Sequence, residues 1–222
     1  MNTWQLLESA PVPGSDKTIG LFRRGGEFSI RVDGRELMNS RVHGSEEALA
    51  EQSCPGLPAG ARVLIGGLGM GYTLAAALQR LGPAARVEVA ELAPAVVAWN
   101  WGVLGELAGH PLRDKRVDVR EGDVAELLQA ERGCYDAILL DVDNGPSGLT
   151  RPENDRLYSP SGLSAAFTAL KPGGVLAVWS ARPDERFVQR LGEAGFEVNT
   201  FTLRARGSHG GERHTIWYAR KA

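Results

Sequence analysis

Arg62-Val63-Leu64-Ile65-Gly66-Gly67-Leu68-Gly69-Met70-Gly71 is the stretch on which the fold turns. Val63, Leu64 and Ile65 are a short apolar run without alternation, the pattern of a strand buried on both faces. Glycines at 66, 67, 69 and 71 interrupt it, and Tyr72–Leu81 resumes as an Ala/Leu-rich segment with helical character. A glycine loop between strand and helix lets the backbone approach a ligand closely. The helix N-terminus then offers unpaired N–H groups to a negative or polar group. Strand-to-helix turns are often glycine-rich without any ligand, so the loop alone leaves both readings open.

Downstream, the same alternation repeats. Strands are predicted at Arg86–Glu91, Val117–Glu121, Tyr135–Asp141 and Val175–Ser180, and helices at Pro94–Gly105, Val124–Ala130, Ser161–Leu170 and Asp184–Ala194. Phe196–Arg204 and His214–Ala219 close the chain as two strands around the loop Arg206–Arg213. Strand and helix alternating five times predicts an α/β fold, a three-layer sandwich with a mostly parallel sheet and an antiparallel C-terminal edge hairpin. Upstream, Thr18–Arg24 and Glu27–Val32 flank Gly25-Gly26, and Asp33-Gly34 marks a second turn, so residues 17–38 predict a small antiparallel β-ribbon. Residues 1–15 carry no regular pattern, and Ser45–Gln52 reads as a helix whose acids Glu46 and Glu47 suit its N-terminus. Residues 1–44 are therefore expected to form an N-terminal segment with the ribbon and 45–222 the main α/β domain.

Composition narrows the partners. At 43% hydrophobic and 23% charged residues, the 222-residue chain is neither disordered nor fibrous in character. Lys and Arg number 25 against 27 Asp and Glu, a net charge of −2. That balance lacks the bulk positive charge that holds most proteins to nucleic acid, so none is expected. No apolar run approaches the ~20 residues of a membrane span, and the first residues lack the basic and apolar regions of a secretion signal. Cys54 and Cys134 are the only cysteines. Two make neither a disulfide framework nor a cysteine-based zinc site, and a cytoplasmic location is expected. The four histidines show no metal-ligand spacing, so no metal is assigned.

The acids carry the chemistry. Glu91 ends the second strand about 20 residues beyond the glycine loop, where open α/β sheets hydrogen-bond the ribose hydroxyls of a nucleoside. Its alternative is a surface acid at a strand end. Asp123 follows the third strand and suits either an adenine amino group or the cap of the next helix. Ala137-Ile138-Leu139-Leu140 runs straight into Asp141, which puts that carboxylate at the carboxyl edge of the sheet, where ligands bind. The loop beyond it, as far as Tyr158, is long and polar, the kind of segment that forms substrate walls.

Together these segments resemble the spermidine-synthase-like branch of the class I S-adenosylmethionine-dependent methyltransferase fold, a Rossmann-like architecture, over about residues 18–220. Gly67-Leu68-Gly69-Met70-Gly71 looks like the family's donor-binding loop, Glu91 with Leu92 like its ribose-binding acid, and Asp123 with Val124 like its adenine-side acid. Tyr135-Asp136-Ala137-Ile138-Leu139-Leu140-Asp141 is similar to the strand whose final Asp serves the reacting amine. Leu157-Tyr158 and Leu170-Lys171-Pro172-Gly173-Gly174 match further landmarks. The resemblance implies S-adenosylmethionine or its decarboxylated form as donor and a small-molecule acceptor. Asp141, Asp143 and Tyr158 would be catalytic, with Asp141 also at the donor.

The chain departs from the family where a polyamine would sit. Met70 is read in the place of a loop Asp, Asn144 in the place of a second acid beside Asp143, and Arg41 falls in a segment the family uses for acids. Each lost acid weakens the hold on a polycation. The donor half thus reads as kept and the polyamine half as rebuilt. Methyl transfer to an amine or hydroxyl is accordingly the first expectation, aminopropyl transfer to a polyamine the second, and nucleoside binding without turnover the third. A dinucleotide oxidoreductase ranks below these, because Leu74 stands where the spaced glycine pattern wants a third small residue. The exposed ribbon edge offers a surface for a homodimer.

Overall fold

A computed structural model describes residues 3–142, 145–146, 155–204 and 213–222. The three layers follow from the side-chain alternation of its central strands. In β5 (Arg62–Gly66), Val63 and Ile65 join one apolar cluster while Leu64 joins another. In β8 (Tyr135–Leu140), Ala137 and Leu139 face the first cluster, and Ile138 and Leu140 the second. Successive residues of a strand point to opposite faces, so these runs need a cover on each side. The first face is covered by α1 (Gly44–Ser53), α2 (Tyr72–Arg80) and α3 (Pro94–Trp101), and the second by α4 (Val124–Ala130), α6 (Pro160–Ala169) and α7 (Glu185–Glu193). The short helix α5 (Asp155–Tyr158) leads into α6.

The remaining strands of the large sheet are β6 (Arg86–Glu91), β7 (Val117–Glu121), β9 (Leu170–Ser180), β10 (Phe196–Arg204) and β11 (Arg213–Lys221). Its order is β10-β11-β9-β8-β5-β6-β7. The pairs among β9, β8, β5, β6 and β7 are parallel, and β11 joins β9 and β10 antiparallel. Chain order runs outward from β5 in one direction to β6 and β7, and in the other through β8 to β9. A crevice therefore opens between the carboxyl ends of β5 and β8, the place where open α/β sheets bind ligands.

A second sheet of four antiparallel strands precedes this one: β1 (Gln5–Pro11), β2 (Thr18–Arg24), β3 (Glu27–Val32) and β4 (Arg35–Asn39). Its inner residues Ile19, Leu21, Phe28 and Ile30 join the first apolar cluster. The ribbon is thus packed onto the sandwich. Its strand β1 departs from the irregular reading of residues 1–15. Every residue of β1 except Ala10 is exposed, so Gln5–Pro11 shows no inward apolar alternation, and its pairing rests on backbone bonds to β2. The helix expected to reach Gly105 ends at Trp101, where Gly102 breaks it, and a 3₁₀ turn spans Gly105–Ala108. Strand β9 begins at Leu170, five residues ahead of the expected Val175. No helix among the described residues is long and apolar enough to cross a membrane.

Candidate active site

The loop after β5 is held against its neighbours by its own backbone. Gly67 N–H donates to the Ala90 carbonyl at 2.8 Å, and Asp141 N–H donates to the Gly66 carbonyl at 2.8 Å. Gly67 has φ +90° and lies so close to the Asp141 carbonyl that a Cβ would collide with it, which is why glycine is needed there. These bonds draw the tips of β5, β6 and β8 around one cavity. Gly67, Gly69, Glu91, Leu92, Asp123, Val124 and Asp141 all line it.

Glu91 is anchored at both oxygens. Oε2 accepts from Leu68 N–H and Oε1 from Ala93 N–H, each at 2.9 Å. Burial pushes this carboxyl above its ordinary range, opposed by the backbone donors around it. Each carboxylate oxygen accepts more than one hydrogen bond, so the anchored acid can still receive a pair of hydroxyls. Asp123 is the N-cap of α4, with Oδ1 accepting from Ala125 N–H at 2.8 Å, and it also lines the cavity. Capping and ligand-facing positions coincide in this residue.

Two expected site residues sit elsewhere. The Met70 side chain is fully buried in the apolar core and is absent from the cavity wall. The loop position that faces the cavity is Gly69, and the atom in front of it is Met38 Sδ, contributed by the ribbon. The alternation of the loop turns residue 69 outward and residue 70 inward, which corrects the placement of Met70 beside the donor. Tyr158 is buried against Phe187 with rings edge to face, its hydroxyl 3.4 Å from the Val142 carbonyl, and it too is absent from the wall. Leu68 takes part through its backbone bond to Glu91, and Gly71 serves as the N-cap of α2. Asp143 and Asn144 lie outside the described residues.

The acid that sequence reasoning missed as a site residue is Glu46. It lies in the first turn of α1, lines the cavity with Asp141, and is 9% exposed. Thr73 joins the two: its hydroxyl donates to Asp141 Oδ2 at 2.6 Å and lies 3.2 Å from the Glu46 backbone carbonyl. Burial and repulsion from Asp141 push Glu46 up to about 7, and burial pushes Asp141 up to about 6 against the hydrogen bond from Thr73. Behind Glu46 runs a polar chain. Ser45 Oγ donates to Glu46 Oε2 at 2.6 Å, which leaves it to accept from His214 Nδ1 at 2.7 Å. No local signal in Ser45-Glu46-Glu47 separates a buried site acid from a helix-start acid, because the distinction depends on how α1 packs against α2.

The elevated Glu46 has a consequence for stability. The unfolded chain ionises this group near 4.5, whereas the folded chain holds the proton to about 7. Stability therefore falls as pH rises between those values, since the unfolded state has then lost a proton that the folded state keeps. Glu46→Gln is expected to be more stable than the parent at pH 8 by about 3 kcal/mol, with the gain gone at pH 4. Urea unfolding at the two pH values measures it, and an equal difference at both would refute the assignment.

No family model matches the sequence, and no curated protein matches it. Solved structures do. A spermidine synthase in complex with the transition-state analogue AdoDATO superposes with a TM-score of 0.77 at 18% identity, over 98% of this chain and 72% of the other. The spermidine synthase of Thermotoga maritima gives 0.77 at 20% identity, over 98% and 73%. A probable spermidine synthase from Corynebacterium glutamicum gives 0.63 at 16% identity, over 97% and 79%. Across nearly its whole length, ribbon included, the chain has the fold of the spermidine synthases.

Proposed function

We propose that the protein is a transferase that moves an aminopropyl group from decarboxylated S-adenosylmethionine to an amine. The observation that carries this reading is the pair of acids Glu46 and Asp141 in the wall of the cavity that also holds the anchored Glu91. Glu91 would hold the ribose hydroxyls, Asp123 would face the adenine, and the Gly67–Gly69 backbone would lie along the donor. The acceptor arrives as an ammonium and must lose a proton before it can attack. A carboxylate raised toward neutrality is a better base than an ordinary one, and Asp141 with Glu46 supplies it. The freed nitrogen lone pair then bonds to the carbon beside the sulfonium. The carbon–sulfur bond breaks, its electron pair stays on sulfur, and neutral 5′-methylthioadenosine leaves. The sulfonium is already activated, so orientation and exclusion of water are the protein's main work.

The fold neighbours favour this over the methyl transfer expected from sequence. Methyl transfer keeps one supporting observation: Lys17 lines the same cavity and would attract the carboxylate of intact S-adenosylmethionine. One assay separates the two. With a mixture of amines, the decarboxylated donor is expected to release 5′-methylthioadenosine about 100-fold faster than intact S-adenosylmethionine releases S-adenosylhomocysteine, a margin of about 2.7 kcal/mol. The reverse order would establish the methyl reading. Neither product above the rate without protein would leave nucleoside binding without turnover.

A further inference from the structure

We propose that the acceptor is a monoamine, one ammonium on an apolar body, rather than a diamine or polyamine. This rests on the transferase reading above and specifies its substrate class. The wall beyond the acids is hydrocarbon: Ile19, Ile30, Val32, Leu37 and Met38 come from the ribbon and Trp179 from β9. Ile19 is paired across the strands with Val32, and Ile30 with Met38, so the apolar residues form a continuous face.

The acids are gathered at one end of that face. Glu91 spends an oxygen on each of two backbone N–H groups at the nucleoside end, and Asp123 caps α4 beside it. Glu46 and Asp141 are left for a cation, and both touch the Thr73 hydroxyl, one through its carboxylate and one through its backbone. Burial raises both carboxyls, and repulsion from Asp141 raises Glu46 further, so near neutral pH the pair carries less than two full negative charges.

The far end of a diamine would have to rest against the ribbon. There its second charge would lose water and meet Ile, Val and Leu side chains with no carboxylate among the described residues in return. The one charged ribbon group in the wall among the described residues, Lys17, carries the same sign. An alkyl or arylalkyl body instead gains by covering that surface. Trp179 adds a finer preference. Its Nε1 is buried and has no hydrogen-bond partner among the described residues, so a body bearing an ether or hydroxyl oxygen could satisfy it.

The test is isothermal titration of the full chain already saturated with 5′-methylthioadenosine. Hexan-1-amine and 2-phenylethylamine are compared with butane-1,4-diamine. The monoamines are expected to bind at least about tenfold more tightly than the diamine. Leu37→Glu, which puts a carboxylate on the half-buried edge of the wall, is expected to bring the ratio within about threefold. Equal or tighter binding of the diamine by the parent protein would overturn the proposal, as would no binding of any of the three amines to the loaded protein. Failure of 5′-methylthioadenosine itself to bind would instead remove the transferase reading on which the proposal stands.

Discussion

Asp141→Asn is expected to lower turnover about 10³-fold while changing the affinity for 5′-methylthioadenosine less than about threefold. Asn is nearly isosteric with Asp, and its carbonyl oxygen can still accept from the Thr73 hydroxyl that now donates to Oδ2 at 2.6 Å. The loop is held by the backbone of Asp141, whose N–H bonds the Gly66 carbonyl, so the substitution leaves that frame in place. What disappears is the group that would receive the acceptor's proton and oppose its charge. Glu46, in the same wall, can take over part of that duty, which sets a floor under the loss. Adding Glu46→Gln is expected to remove the remainder, with effects that do not add because the two carboxyls line one wall and repel each other. Product release at saturating donor gives the first quantity and direct nucleoside titration the second. Turnover within tenfold of the parent would show that Asp141 takes no proton, and a matching fall in nucleoside affinity would show that it serves the donor instead.

Legibility in the sequence follows the range of the interaction. Val63-Leu64-Ile65 and Ile138-Leu139-Leu140 announce buried parallel strands because both faces of each are covered, and composition alone shows this. Glu91 and Asp141 are legible for the same reason: a carboxylate at the end of such a strand has one place to go, the carboxyl edge of the sheet. Strand β1 is not legible, since Gln5–Pro11 leaves nearly all its side chains exposed and takes its order from pairing with β2. Met70 and Gly69 show the limit within a motif. Glycine count locates the loop, but which residue faces outward is set by successive backbone turns, φ +53° at Gly69 and +82° at Gly71, that residue type alone does not dictate. Glu46 marks the limit between elements. Its neighbour Ser45 meets His214 across 169 positions of sequence, and its own carboxyl enters the wall that Asp141 lines only after α1 has docked on α2. Long-range packing of this kind leaves no local spacing to read.

Glu91→Ala is expected to weaken 5′-methylthioadenosine about 100-fold and to raise the donor KM by a similar factor, with kcat within about threefold of the parent. The carboxylate has two tasks. It fixes the loop by accepting from Leu68 and Ala93 N–H, and its remaining lone pairs are available to ribose hydroxyls. Removing it leaves the Leu68 and Ala93 N–H groups without their acceptor and takes away charge-assisted bonds that outweigh neutral ones. Glu91→Gln tests whether charge or shape is responsible. A carboxamide offers one oxygen to one N–H, but its NH₂ then points at the second N–H as donor against donor. Gln is therefore expected to recover less than a tenth of the lost affinity, even though its volume is that of Glu. A variant that bound the nucleoside as tightly as the parent would mean that Glu91 only braces the loop. The contrast with Asp141 is the stronger check: Glu91 is expected to govern KM and Asp141 kcat, because one would hold what does not react and the other would face what does.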